Sequence, residues 1–174
     1  MTRNAHDAIS LGIGMVHQHF MLGDTLTALE NVMRGAESSF LLSRSEGTVR
    51  SKLKELIDST GLKVELDAQV DSLPVGDRQR LEILKALYRG AKSLILDEPT
   101  AVLTPQETEQ LFGVLSRLRE QGTTILLIEH DMSLVMNVCQ RIQVLDYGRT
   151  IAAGTPEEIA NNPQVISAYL GSDD

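Results

Sequence analysis

Ser93-Leu94-Ile95-Leu96-Asp97-Glu98-Pro99-Thr100 is the stretch whose reading decides the fold. Leu94, Ile95 and Leu96 make a short apolar run, the pattern of a strand buried on both faces of a parallel sheet. Asp97 and Glu98 emerge at its carboxyl end, where open α/β sheets place their ligands. Neighbouring side chains on a strand point opposite ways, so the two carboxylates are expected to do different work. One can hold a magnesium ion while the other faces a nucleophilic water, a layout suited to hydrolysing a nucleoside triphosphate. A strand that merely ends in solvated acids is the alternative, and the octet alone leaves both open.

Outward from the octet the chain alternates strand and helix. Ile13 to Val16 is predicted as a short strand leading to Gln18. Thr27-Ala28-Leu29-Glu30 has the reciprocal Ser/Thr-x-x-Glu pattern that opens a helix, and polar Glu37 to Gly47 is expected to be loose. Val49, Leu53, Leu56 and Ile57 recur at helical spacing, with Gly61 as the stop. A second helix is predicted from about Arg78 to Arg89. After the octet, Thr104-Pro105-Gln106-Glu107 starts a helix with Leu111, Val114, Leu115 and Leu118 inward. Thr123 to Ile128 is expected as a buried strand and Met132 to Val138 as a short helix. Ile142 to Asp146 and Arg149 to Ala152 flank a Tyr147-Gly148 turn, and Thr155-Pro156-Glu157-Glu158 opens a last helical piece interrupted by Pro163. The succession predicts an α/β sheet with a helical subdomain inserted into it.

Composition narrows the function classes. A net charge of −8 argues against nucleic acid as a partner and against attraction to anionic lipid. No run approaches the roughly 18 apolar residues of a membrane span, and Met1 to Ser10 does not read as a signal peptide. The single cysteine, Cys139, forms no internal disulfide and is expected to be a small buried apolar residue. Only 3% of residues are aromatic, so the core must be aliphatic. His17 and His19 have no partner that suggests a metal.

Leu73-Pro74-Val75-Gly76-Asp77-Arg78-Gln79-Arg80 upstream of the octet and Glu129-His130-Asp131 downstream complete a series of motifs. In that order the series resembles the ATP-binding cassette ATPases, the motor subunits of ABC transporters. The resemblance implies a P-loop NTPase core, with ATP and Mg2+ as ligands. It makes Ser93 to Asp97 the Walker B strand, with Asp97 acting on magnesium through bound water, and Glu98 the catalytic glutamate. Gln18 matches the Q-loop glutamine, a ligand to metal or water. His130 matches the switch histidine at the γ-phosphate. Pro74, Val75, Gly76 and Asp77 stand in the signature that closes over ATP held by a second subunit, and Leu103 stands in the D-loop, Ala101 to Thr104. Taken singly, Gln18 reads as a surface glutamine, His130 as a capping or satisfied histidine, and Arg78 and Arg80 as solvated helix charges. Co-occurrence in order is what favours the functional roles.

The resemblance divides the chain into core residues 1–23 with the Q-loop, a helical subdomain 24–90 ending in the signature and its helix, and core residues 91–174. Its implied partners are membrane permease subunits, docked on the Q-loop and helical subdomain, and a second ATPase subunit in a head-to-tail dimer. Its implied location is the cytoplasmic face of the membrane, held peripherally. Two departures from the family pattern stand out. Pro74, Val75 and Asp77 replace the usual serine, glycine and glutamine, as in nucleoside and simple-sugar importers. No G-x-x-x-x-G-K-[ST] occurs in the 174 residues, although that loop cradles the phosphates. The expectation is therefore a truncated cassette, with little or no activity alone. Gly12 to Phe20 and Arg80 to Gln106 look most like nucleoside or simple-sugar importer ATPases, whereas Ile128 to Gly171 looks like a branched-chain amino-acid importer ATPase. A soluble non-transport ABC ATPase and a non-catalytic interaction module derived from the same family are the alternatives.

Overall fold

β2, Ser93–Asp97, is the middle strand of a three-stranded sheet. β1, Ile13–Val16, and β3, Thr124–Ile128, pair with it in parallel on either side. Register places Gly14 beside Leu94 and Ile125, and Val16 beside Leu96 and Leu127, so these residues share one face. Val16, Leu94 and Leu96 are fully buried there, each contributing roughly 1.5–3 kcal/mol through burial. The computed structural model describes residues 5–34 and 46–170.

The expectation of burial on both faces holds for one face only. Ser93, Ile95 and Asp97 are half-buried, and Met15, Leu126 and Ile128 on the flanking strands are exposed. β3, expected as a buried strand, therefore alternates between half-buried and exposed positions. Layering explains the difference. Helices α4, Val75–Tyr88, and α5, Pro105–Glu120, share a core with the Leu94 face. A short helix α1, Ala5–Ser10, which no periodicity announces, meets the other face only near Ile13, Met15 and Ile95.

The helical segment follows from its caps and apolar spacing. α2, Ala28–Arg34, starts at the expected capping box, with the Thr27 N–H donating to Glu30 and the Glu30 N–H donating to Thr27 Oγ1. α3, Glu46–Thr60, ends at Gly61 with φ +78°, a left-handed turn that glycine adopts freely. The loose stretch expected at 37–47 lies outside the described residues as far as 45, and Glu46 and Gly47 belong to α3. α4 is buried almost all round, because α2, α3 and β1 all pack on it. Gly14 allows the closest of these approaches, since an added Cβ would sit 3.0 Å from the Cβ atoms of Ala86 and Ala91.

The chain forms two compact units, Met1–Ile128 and Glu129–Asp174. The second contains α6, Met132–Val138, then the hairpin β4, Ile142–Asp146, and β5, Arg149–Gly154. Tyr147 and Gly148 both have positive φ, +45° and +75°, the backbone of a tight hairpin turn whose twist matches the strands. α7, Pro156–Ala160, begins at the Thr155/Glu158 capping box, and Pro163 opens α8, Pro163–Leu170, as its first residue. Val135, Ile142, Val144, Ile159 and Val165 form this unit's own core. Cys139 packs against that core, and burial pushes its thiol pKa up, in keeping with a small apolar role.

Candidate active site

Because β1 and β2 run parallel with Val16 paired to Leu96, the residues just beyond each strand arrive side by side. Gln18 and Glu98 meet there, and Gln18 Nε2 donates a hydrogen bond to Glu98 Oε2 at 2.9 Å. Asp97 is the last residue of β2, paired with Ile128 of β3 and half-buried. Glu98 lies past the strand at φ +45°, and its N–H donates to the Ile128 carbonyl at 3.0 Å. The expected opposition of Asp97 and Glu98 by strand alternation is thus replaced by a left-handed turn that aims Glu98. For a non-glycine residue that conformation costs about 1–2 kcal/mol, and such strain clusters at functional sites.

Asp97 and Gln18 offer hard oxygen donors of the type magnesium prefers. Gln18 uses its NH2 on Glu98, which leaves its Oε1 available to accept or to ligate. Among the described residues, no group of three or more His, Cys, Asp or Glu side chains converges on one point. A magnesium–nucleotide site needs no such cage, since one or two protein donors are completed by water and phosphate oxygens. The donor set therefore fits magnesium carried by a nucleotide.

The segment Leu73 to Asp77 runs straight into α4. α4 begins at Val75, three residues earlier than the apolar spacing suggests, with Pro74 as its N-cap residue. Proline's fixed φ suits a helix entry, and the Pro74 carbonyl accepts from the N–H groups of Asp77 and Arg78. Val75, Gly76 and Asp77 thus form a first helical turn. Arg78 and Arg80 are not merely solvated charges. Arg78 donates to the carbonyls of Leu73 and Asp71 at 3.1 and 2.8 Å, while Arg80 pairs with Asp77 and Gln110.

Leu103 is half-buried against the first core, and its N–H closes a turn on the Thr100 carbonyl at 3.0 Å. Thr104 then caps α5 through the full capping box with Glu107. The backbone and hydroxyl of Thr104 hold the Glu107 carboxyl below its ordinary pKa of 4.5, with smaller help from the Gly76 backbone and Arg80. Glu107 therefore links the start of α5 to the first turn of α4. His130 belongs to the second unit and is exposed. The cap of α6 is its neighbour Asp131, whose carboxylate accepts from the Leu134 N–H at 3.1 Å.

Three residues absent from the sequence reading support the Gln18 loop. Glu82 and Lys85 of α4 grip Met21, and Asn31 of α2 grips Gly23. The available signal was two charges, three residues apart, inside the otherwise apolar run Leu81 to Ala86.

The ABC transporter family matches residues 1–101, and a family described as branched-chain amino acid ATP-binding cassette transporter matches residues 149–174. The nucleoside import ATP-binding protein NupA of Lactococcus lactis subsp. cremoris is 46% identical over 144 residues, covering 83% of this chain and 28% of the relative. The high-affinity branched-chain amino acid transport ATP-binding protein LivG of Escherichia coli is 38% identical over 174 residues, covering 92% of this chain and 68% of the relative. The chain thus spans about a quarter to two-thirds of these relatives. A solved ATP-binding cassette of an ABC transporter, MJ1267 in its ADP conformation, superposes with a TM-score of 0.77 at 26% identity, covering 95% of this chain and 71% of that one. With a P-loop NTPase cassette as its structural counterpart and the family match spanning β1 through the Asp97–Glu98 turn, the chain belongs to the ABC transporter family of ATP-binding proteins.

Proposed function

We propose that the chain is the ATP-binding part of an importer's motor subunit, hydrolysing ATP to drive uptake across a membrane. The observation that carries this reading is the Gln18–Glu98 hydrogen bond at the carboxyl ends of β1 and β2, beside Asp97. Glu98 orients and polarises the attacking water, and Gln18 fixes the rotamer of Glu98. Asp97 and Gln18 would hold magnesium, which supplies charge neutralisation on the phosphates. His130 contacts the γ-phosphate. The first turn of α4, Pro74 to Asp77, and Leu103 face the nucleotide of a second subunit in a head-to-tail dimer, with backbone N–H groups as donors. The permease subunits dock on the Gln18 loop and the helical segment 24–90. No helix among the described residues is long and apolar enough to cross a membrane, which suits attachment through such a partner at the inner face of the cell membrane.

Cargo divides between two classes. Relatives that import nucleosides or glucose cover 83% and 88% of the chain, a branched-chain amino acid relative covers 92%, and the 149–174 match adds to the latter. We favour nucleosides or simple sugars on the higher identity of 46%. A second reading is a non-catalytic module that keeps partner binding.

Assaying the chain joined to a phosphate-loop strand and helix, together with the permease, tests both readings. Magnesium-dependent hydrolysis abolished by Glu98→Gln supports the motor. Permease binding indifferent to ATP and to Glu98→Gln supports the module, and retention on ribosomes or DNA instead of the permease overturns the transport reading.

A further inference from the structure

Met21 lies three residues beyond Gln18, and its side chain is 71% exposed. Its backbone groups are nonetheless partly buried, and both are taken by side chains of α4. The Met21 N–H donates to Glu82 Oε1 at 2.8 Å, and Lys85 Nζ donates to the Met21 carbonyl at 2.9 Å and to Glu82 Oε1 at 3.1 Å. The Glu82 and Lys85 side chains are only 6% and 11% exposed. Removing two charges from water costs several kcal/mol per ion, and apolar residues of similar size are often as stable or more so. The pair is therefore poorly explained as a stabilising device. Two residues further along the loop, Asn31 of α2 holds Gly23 in the same way, accepting from its N–H at 2.7 Å and donating to its carbonyl at 3.1 Å.

We infer that Glu82 and Lys85 are positioning residues that hold the Gln18 loop against α4 and thereby set the geometry of the Gln18–Glu98 hydrogen bond. The inference rests on the motor reading for the significance of Gln18 and Glu98. The connection is short at both ends. Gln18 to Met21 spans at most about 11 Å of chain, and Glu82 lies about 9 Å along the helix from Gly76. A rigid helix thus connects the Pro74 to Asp77 turn to Met21. Glu82, Lys85 and Met21 also line a cavity of about 460 Å³ with Ile13, Met15 and Arg89.

The test uses the 174-residue chain without nucleotide. The Glu82→Leu/Lys85→Met variant removes the grip without leaving an unpaired charge. Met21 amide exchange is expected to speed up at least tenfold, and the Gln18 side-chain amide protons to lose their hydrogen-bonded shifts, while the amides of Ile83 to Leu87 keep their protection. Glu82→Gln/Lys85→Met restores one acceptor and is expected to slow Met21 exchange again. Unchanged Met21 and Gln18 signals, equal loss of protection along α4, or failure of the glutamine to restore Met21 protection overturns the inference. Should the double variants unfold, Met21→Pro removes the donor from the loop side alone, and an unchanged Gln18 signal there has the same force. Because these signals are read without ATP, failure here leaves the motor reading standing, and an inactive motor leaves the grip standing.

Discussion

Gln18 and Glu98, eighty residues apart in sequence, are joined by a 2.9 Å hydrogen bond from the glutamine amide to the glutamate carboxylate. Parallel pairing of β1 with β2 delivers both residues to the same edge, and the left-handed backbone of Glu98 turns its carboxylate out of the strand. The base of the proposed reaction is thus held by its neighbour before any nucleotide arrives, which is preorganisation obtained from sheet register.

The strain at Glu98 should be visible in stability. Glu98→Gly relieves a φ of +45° and is expected to be about 1 kcal/mol more stable than Glu98→Ala, which loses the same hydrogen bond but keeps the strain. Glu98→Gln keeps the strain and an acceptor for Gln18 and should leave stability within about 0.5 kcal/mol. Denaturant melts of these variants and the wild type check the order, and a glycine variant less stable than the alanine variant contradicts it.

Nucleotide binding should be weak in these residues alone. Without the backbone cradle and lysine of a phosphate loop, the 174-residue chain is expected to give no saturable ATP binding by calorimetry in the micromolar range that retained phosphate contacts would support. Vigorous magnesium-dependent hydrolysis lost in Glu98→Gln would refute this.

Acid should loosen the start of α5. Hydrogen bonds from Thr104 hold the folded Glu107 carboxyl below its ordinary 4.5, so this group binds fewer protons folded than unfolded. Its stabilisation is complete above 4.5 and is lost as pH falls through the depressed folded value. Glu30, held down by Thr27, follows the same rule. Thr104→Ala is expected to cost about 1 kcal/mol at neutral pH and to flatten the acid limb of a stability–pH curve. A variant with an unchanged acid limb would show that the cap is not the source.

Association should follow the exposed sheet face. Met15, Leu126 and Ile128 are 43%, 56% and 45% exposed, and apolar patches together with open strand edges promote self-association. Sedimentation is expected to show concentration-dependent oligomers, reduced by Leu126→Lys at a cost within about 0.5 kcal/mol. A wild-type chain monomeric at all concentrations would contradict this.

How far the sequence carried can be argued from particular elements. The ends of α3, α5 and α7 were legible because their signals are local. Gly61 supplies a left-handed stop, and the Thr104/Glu107 and Thr155/Glu158 boxes satisfy orphan amides within a few residues. The start of α4 was misplaced because Val75 and Gly76 carry little helical pattern, while Pro74 quietly caps the helix. β2 was misjudged as buried on both faces because an apolar run records only that a side chain is hydrophobic, not whether a layer covers it.

By itself the sequence determined the order of elements and the residue types at the reacting edge, since periodicity, capping and motif spacing act over short stretches of chain. Only the tertiary structure decided which groups touch. Sheet register brought Gln18 to Glu98, and the packing of α4 brought Glu82 and Lys85 to Met21. Such contacts join residues far apart in the chain, so no local pattern encodes them. They arise when burial of Val16, Leu94, Leu96 and Leu84 in one core fixes the elements against one another.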